Sequence, residues 1–334
     1  MMTKSQYLYA TGRIRSLETK LLSTSDMERM IDAKDATMAF KVFNDLSYAD
    51  ELADIEKPEE YQAVLNHDLQ QVKDVLKQIT PDSRVMDLLF SRYDYHNIKL
   101  FLKARILEKD LSKYESNLGN IDPERLRDYI IKDTKTAIPA EIEEVIREAK
   151  KEFDKKDVGG YIIDSYIDGK YFARLKELAE KLNNSFTTSL VRNWIDIANV
   201  KLFLRAKRLE LELEKFQSYF IAGGNILASS LVNYYGKDLK EAVTICSRGF
   251  EDAAVKEAIK DYAEGGELWK MEKAFENYEI KFIQQAKYIA YGPEIVLAYY
   301  LAKKNAVRNV RLIFTGKLND LPSGEIKERV REIY

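Results

Sequence analysis

The sequence predicts an all-α fold, and three observations predict it. Apolar residues recur at helical spacing along most of the 334 residues. Only 6 Pro and 14 Gly interrupt them. Both residue types break helices, Pro through its missing N–H and ring clash, Gly through its backbone entropy. No sustained apolar/polar alternation bounded by turn residues occurs, so no sheet is expected. The composition agrees. Hydrophobic residues at 46% suit a globular core, and 53 basic against 55 acidic side chains leave a formal charge of -2. Near-neutrality supplies no global field to gather nucleic acid or an anionic membrane surface.

Taken in order, the first helix carries Ile14, Leu17, Leu21 and Leu22 on one face, with Arg13, Arg15, Glu18 and Lys20 around the rest. Leu100, Ala104, Leu107 and Leu111 form a second stripe, and Leu202, Ala206, Leu209 and Leu213 a third. Turn chemistry separates the helices at 80–83, 119–123, 157–160, 183–185, 223–225, 265–266, 292–293 and 322–324. None of these is a long flexible linker, which predicts units packed directly on one another. The opening Met1 to Gln6 lacks the apolar core of a signal peptide. The longest apolar run, Ile295 to Ala302, is far short of the roughly 20 residues that cross a bilayer. No direct membrane insertion is expected.

An internal repeat organises the chain. Asp94 to Glu108 reads DYHNIKLFLKARILE and Asp196 to Glu210 reads DIANVKLFLRAKRLE, identical at nine of fifteen positions. Asp26 to Asp32 (DMERMID) and Asp122 to Asp128 (DPERLRD) agree at four of seven. A third copy is fainter: Asn309 to Phe314 matches Asn97 to Leu102 in residue type at every position, and Gly223-Gly224-Asn225 parallels Gly119-Asn120. The repeat of about 100 residues exceeds the roughly 20–50 of solenoids. It predicts domain triplication, with units at residues 1–118, 119–222 and 223–334.

Catalytic, cofactor and metal sites are not expected. Asp94 and His96 are two apart on a helix and point to different faces, so they chelate one ion poorly. Ala198 replaces His96 in the second copy and Ala306 replaces the Asp in the third. Asp94 reads as a cap or local hydrogen-bond acceptor, and Asn97 as an i+3 partner or an interhelical tie. His67 has no ligand-type cluster beside it. Gly159-Gly160 and Gly223-Gly224 lack the Lys-Ser/Thr of a phosphate loop. Cys246 is the single cysteine, which excludes an internal disulfide, and it has no catalytic signature. The basic-aromatic stretch from Gln285 to Tyr299 reads as core-packed Tyr rather than a stacking platform for nucleic acid.

The basic residues of the repeat carry two readings. Lys99 and Lys103, Lys201 and Arg205, and Arg311 occupy matching positions. One reading is a solvated helix face beside an apolar stripe. The other places Lys99, Lys201 and Arg311, one from each unit, in an axial ring that receives an acidic partner.

Several motifs run through the chain in a recognisable order. Tyr9-Ala10-Thr11-Gly12-Arg13-Ile14-Arg15-Ser16-Leu17-Glu18 leads into Leu21-Leu22-Ser23, then Asp26 to Asp32, then Phe43-Asn44-Asp45-Leu46-Ser47-Tyr48. Asp94/Asn97, Asp196/Asn199 and Asn309 to Lys317 follow. In this order, over essentially the whole chain, they resemble the C subunit of bacterial and archaeal V-type (A/V-type) ATPases, equivalent to the eukaryotic d subunit. The missing Asp before Asn309 departs from the repeat, so no role attaches to that position. The resemblance implies a funnel of three homologous helical domains with pseudo-threefold symmetry around a central cavity. It also implies a non-catalytic connector between the rotor shaft (the D and F subunits) and the c-ring, the membrane ring of proteolipid subunits. Such a part is peripheral, on the cytoplasmic face of the membrane within a bound complex, without cofactors. On the residues alone, a soluble helical scaffold or adaptor stays open. So does an all-helical enzyme, which requires a pocket with two or more perturbed titratable groups.

Overall fold

Sixteen α-helices and four short 3-10 turns, with no strand, form the regular structure of the described residues. The computed structural model describes residues 4–46, 57–153 and 160–334. Ser47 and Tyr48 of the N-terminal motif and the turn expected at 157–159 lie outside the described residues. The first four helices are α1 (Leu8–Glu18), α2 (Thr24–Asp32), α3 (Ala36–Asn44) and α4 (Tyr61–Ile79). Next come α5 (Ser83–Leu107), α6 (Pro123–Ile131), α7 (Ala140–Phe153), α8 (Gly160–Leu182) and α9 (Ser185–Arg208). Shorter helices follow: α10 (Leu213–Tyr219), α11 (Ala228–Tyr235), α12 (Leu239–Ser247) and α13 (Ala253–Ala263). The chain closes with α14 (Leu268–Ile283), α15 (Pro293–Leu318) and α16 (Ser323–Arg329).

Local chemistry sets the helix starts. Ser23 and Asp26 form a reciprocal capping box at α2. Asp35, Asp122, Asn184, Asp238 and Asp252 accept first-turn N–H groups of α3, α6, α9, α12 and α13. Pro123 and Pro293 stand in the first turns of α6 and α15, where their missing N–H costs nothing.

The helix ends correct the expected stripes. The first stripe stops in α1, because Leu21 donates to the Glu18 carbonyl in a turn and Ser23 starts a new helix. Leu107 and Leu209 are 53% and 55% exposed. Leu111 and Leu213 lie beyond the ends of α5 and α9. The cause is a left-handed residue just past each helix, Glu108 (φ 50°) and Glu210 (φ 49°), which turns the chain away.

Two compact units arise. One comprises Met1–Ser83 with Phe250–Tyr334, the other Arg84–Gly249. In the first, α15 is the central helix. It touches α1, α2, α3, α4, α14 and α16, and its sequence from Ile295 to Ala302 is buried on every face. A helix apolar all round belongs in a core, which answers the short apolar run of the sequence. Phe314 of α15 stacks on Tyr61 (centroids 5.1 Å apart) and meets Phe40 and Phe43 edge-on at 5.8 and 5.6 Å. In the second unit, Ile98, Phe101, Leu126, Ile130, Ile142, Ile146, Phe153, Ile163 and Ile167 bring α5, α6, α7 and α8 into one core. Burying each such side chain contributes about 2 kcal/mol. Phe203, Phe216 and Tyr235 join α9, α10 and α11, with the last pair stacked at 4.8 Å.

Candidate functional site

Nothing among the described residues gathers reactive groups; what recurs is a constellation along the C-terminal halves of α5, α9 and α15. Each contains an asparagine buried to zero exposure: Asn97, Asn199 and Asn309. The Asn97 amide donates to the Ser116 carbonyl at 2.8 Å and accepts the Ser116 N–H at 2.9 Å. Asn199 does the same with Ile221, at 2.8 and 2.9 Å. Asn309 does it with Arg331, at 3.0 and 2.8 Å. One side-chain amide thereby satisfies a backbone donor and a backbone acceptor that would otherwise be buried unpaired.

Three residues before the asparagine, the first two copies carry a buried aspartate. Asp94 accepts the Asn120 N–H at 3.1 Å and the Ile121 N–H at 2.9 Å. Asp196 accepts the Asn225 N–H at 3.0 Å, the Asn225 side-chain amide at 2.8 Å and the Ile226 N–H at 2.9 Å. Burial raises the Asp196 carboxyl above the ordinary aspartate range, and these hydrogen bonds oppose the shift. The turn must come close to reach the carboxylate. A Cβ on Gly119 would lie 2.2 Å from Asp94 Oδ1, and one on Gly224 would lie 2.2 Å from Asp196 Oδ1. Glycine is required there by contact with the carboxylate. In the third copy Ala306 offers no acceptor.

The ends of the three helices also agree. Glu108, Glu210 and Asp320, each eleven positions after its asparagine, have φ of 50°, 49° and 54°. The following N–H returns to a small residue five back: Lys109 to Ala104, Leu211 to Ala206 and Leu321 to Gly316, at 3.1, 3.0 and 2.9 Å. This is the left-handed C-cap that ties up orphan carbonyls. Eight positions after each asparagine stands a cation. Arg105 donates to the Ile130 carbonyl at the end of α6 (2.9 Å) and to Asp133 (2.8 Å). Lys207 donates to the Tyr235 and Lys237 carbonyls at and beyond the end of α11, both at 2.6 Å. Lys317 donates to the Ala33 carbonyl capping α2, at 2.5 Å. A cation is favoured there by both the unpaired carbonyls and the helix dipole.

The three sequence-predicted ring positions have individual surroundings. Lys99 pairs with Asp168 of α8 at 2.7 Å, and Lys103 with Asp164 one turn along at 2.6 Å. Arg311 is exposed and donates to Gln62 of α4 at 3.2 Å. Lys201 is half-buried on α9, and Arg205 is exposed one turn on. Sequence reasoning missed the aspartates of α8 that engage Lys99 and Lys103, since nothing in the spacing links residues so far apart, 69 positions for Lys99 and Asp168.

The remaining sequence candidates have structural surroundings. His96 Nε2 lies 3.0 Å from the Tyr114 carbonyl, and His67 is half-buried on α4. Cys246 is buried, which pushes its thiol far above the usual range. Among the described residues, no group of three or more His, Cys, Asp or Glu is placed to hold a metal ion. No described helix is long and apolar enough to cross a membrane.

Similarity to known proteins runs along the same span. The family model described as ATP synthase (C/AC39) subunit matches residues 10–329. The V-type sodium ATPase C subunit of Enterococcus hirae is 23% identical over 322 residues, spanning 96% of this chain and 97% of its own. The A-type ATP synthase C subunit of Methanocaldococcus jannaschii is 25% identical over 354 residues, covering 96% and 85%. That of Pyrococcus horikoshii is 21% identical over 343 residues, covering 98% and 90%. With the asparagines Asn97, Asn199 and Asn309 all inside the matched span, this chain belongs to the ATP synthase (C/AC39) subunit family, the C subunits of V-type and A-type ATPases.

Proposed function

We propose that this protein is a non-catalytic subunit of a rotary V/A-type ATPase, and that within it the chain connects the D/F rotor shaft to the membrane c-ring. The observation that carries the reading is the family match from residue 10 to 329, with relatives named as C subunits matched over most of their own length. In this reading the units at 1–118, 119–222 and 223–334 are three domains of a pseudo-threefold funnel. The complex holds the chain at the cytoplasmic face of the membrane, as a peripheral part.

A connector of this kind transmits torque without shearing, and the clamps suit that demand. Close-packed cores resist deformation. The Asn and Asp clamps add buried bonds whose loss leaves polar backbone unsatisfied, so each helix junction resists sliding. Recognition of the shaft rests on geometric fit and charge complementarity more than on buried area. Lys99, Lys201 and Arg311 are the proposed cations facing an acidic shaft surface, with Lys99 exchanging Asp168 for the partner's carboxylate.

Mixing the chain with purified D/F complex tests the reading. The expected result is 1:1 association at low salt that weakens as salt screens the contact, with weaker binding still for Lys201→Glu and Arg311→Glu. Failure to associate at low salt, with membranes from the source organism also failing to retain the chain, refutes it.

A further inference from the structure

The cation that follows each asparagine caps a helix belonging to the next copy of the repeat. Arg105 of the first copy holds α6 of the second, and Lys207 of the second holds α11 of the third. Lys317 of the third copy holds α2 of the first. The position two after the asparagine follows the same rule. Lys99 reaches α8 in the second copy, and Arg311 of the third reaches α4 in the first. The first two of these links lie in the Arg84–Gly249 unit and the third in the other, and the third differs from the first two in kind. Short stretches of chain join α5 to α6 and α9 to α11, whereas Lys317 and Ala33 are 284 positions apart. A link without a short covalent connection must close a long loop by side-chain contact alone. It also lacks the aspartate clamp, because Ala306 stands in its place.

The third link contains one group with no counterpart in the others. Lys303 Nζ lies 2.9 Å from Asp68 Oδ1, with the two side chains 9% and 10% exposed. The residues equivalent to Lys303, six before the asparagine, are Ser91 and Asn193, and neither is a cation. At the offset of 102 that relates Asp94 to Asp196 (196 - 94), Asp68 aligns with Lys170, which pairs with Glu148 on its neighbouring helix instead. The second oxygen of Asp68 is buried without a hydrogen-bond partner. A buried pair is a weak source of net stability, but it punishes any arrangement that separates the charges. Around it the link is completed by Ser323 donating to the Ile31 carbonyl at 2.8 Å, by Lys327 with Asp32 at 2.9 Å, and by Phe314 among Phe40, Phe43 and Tyr61.

We infer that the contact of α2–α4 with α15–α16 is a latch that closes the third copy of the repeat onto the first, and that the buried Asp68–Lys303 pair fixes its register. Loss of either charge opens this contact while the α5–α6 and α9–α11 links stay closed.

Hydrogen–deuterium exchange on the full chain tests this. In Asp68→Leu, amides of α2, α4 and α15 exchange about a hundredfold faster, as expected when one partner of a buried pair is removed. Those of α6 to α9 keep their rates. The double variant Asp68→Leu/Lys303→Leu removes both charges and returns α2, α4 and α15 towards the parent rates. Lys317→Met guards against an Asp68→Leu chain that does not fold: it speeds exchange about tenfold in α2 alone. Equal acceleration in both compact units in Lys317→Met, or unchanged α2 rates there, overturns the inference. So does a double variant as open as Asp68→Leu.

Discussion

Replacing Gly224 by alanine isolates the aspartate clamp. The new Cβ would lie 2.2 Å from Asp196 Oδ1, 3.0 Å from its Cγ and 3.1 Å from Ile195 Cγ2. The carboxylate is fully buried between its own helix and the turn, so it cannot retreat to solvent. It must move off the Asn225 and Ile226 N–H groups, now at 3.0 and 2.9 Å. Two hydrogen bonds to a charged acceptor are each worth about 1.5–3 kcal/mol, so the expected loss is about 3–6 kcal/mol. Urea unfolding followed by circular dichroism reads that loss in the transition of the unit from Arg84 to Gly249. Asp196→Ala supplies the control, because it removes the atom the Cβ would strike. The double variant should then be far less damaging than the two losses added, with a coupling energy of about 2–3 kcal/mol. Simple additivity, or a Gly224→Ala loss under about 1 kcal/mol, refutes the claim that the carboxylate dictates glycine there.

Other substitutions separate local cost from benefit. Gly169 lies inside α8 with open space where its Cβ would be, so Gly169→Ala should stabilise the same unit by about 1 kcal/mol in the same unfolding experiment. Asn309→Leu should destabilise the unit containing α15 by about 2–4 kcal/mol, since the N–H and carbonyl of Arg331 lose their partner. A thermal melt should register it, together with faster exchange of the Arg331 amide. Hydrogen bonds from Lys150 and Arg105 hold the Asp133 carboxyl below the usual aspartate range. Its contribution is present above the unfolded pKa and is lost as pH falls through the lowered folded value. A carbon-detected NMR titration should find this low midpoint, and Arg105→Met should bring it back up.

The fold class and the repeat are legible in the residues because both rest on local periodicity and on identities between aligned segments. Asn97, Asn199 and Asn309 stand out, and residue type in a helical frame allows an i+3 partner or a tie to another helix; the structure shows a tie to backbone outside the helices. Their partners do not stand out. Ser116, Ile221 and Arg331 have nothing in common except a backbone, and a backbone clamp leaves no mark on the side chains it holds. The apolar stripes overrun α5 and α9 because Glu108 and Glu210 adopt left-handed conformations without being glycine. Lys99 and Lys103 read as a solvated or partner-facing stripe, while Asp164 and Asp168, more than a helix away in sequence, already sit against them. Asp68 and Lys303 give no signal because charged residues read as surface until packing buries them. Long-range pairing is what a single sequence hides.

The solitary thiol of Cys246 follows from the packing of α12 and has a practical use. The sulfur is sealed from solvent and held protonated, so an alkylating reagent reaches it only when the surrounding helices part. With no other cysteine in the sequence, every modified molecule reports one event at one address. Mass spectrometry of the intact chain after timed labelling would thus clock how often the Arg84–Gly249 unit breathes, without any engineered probe.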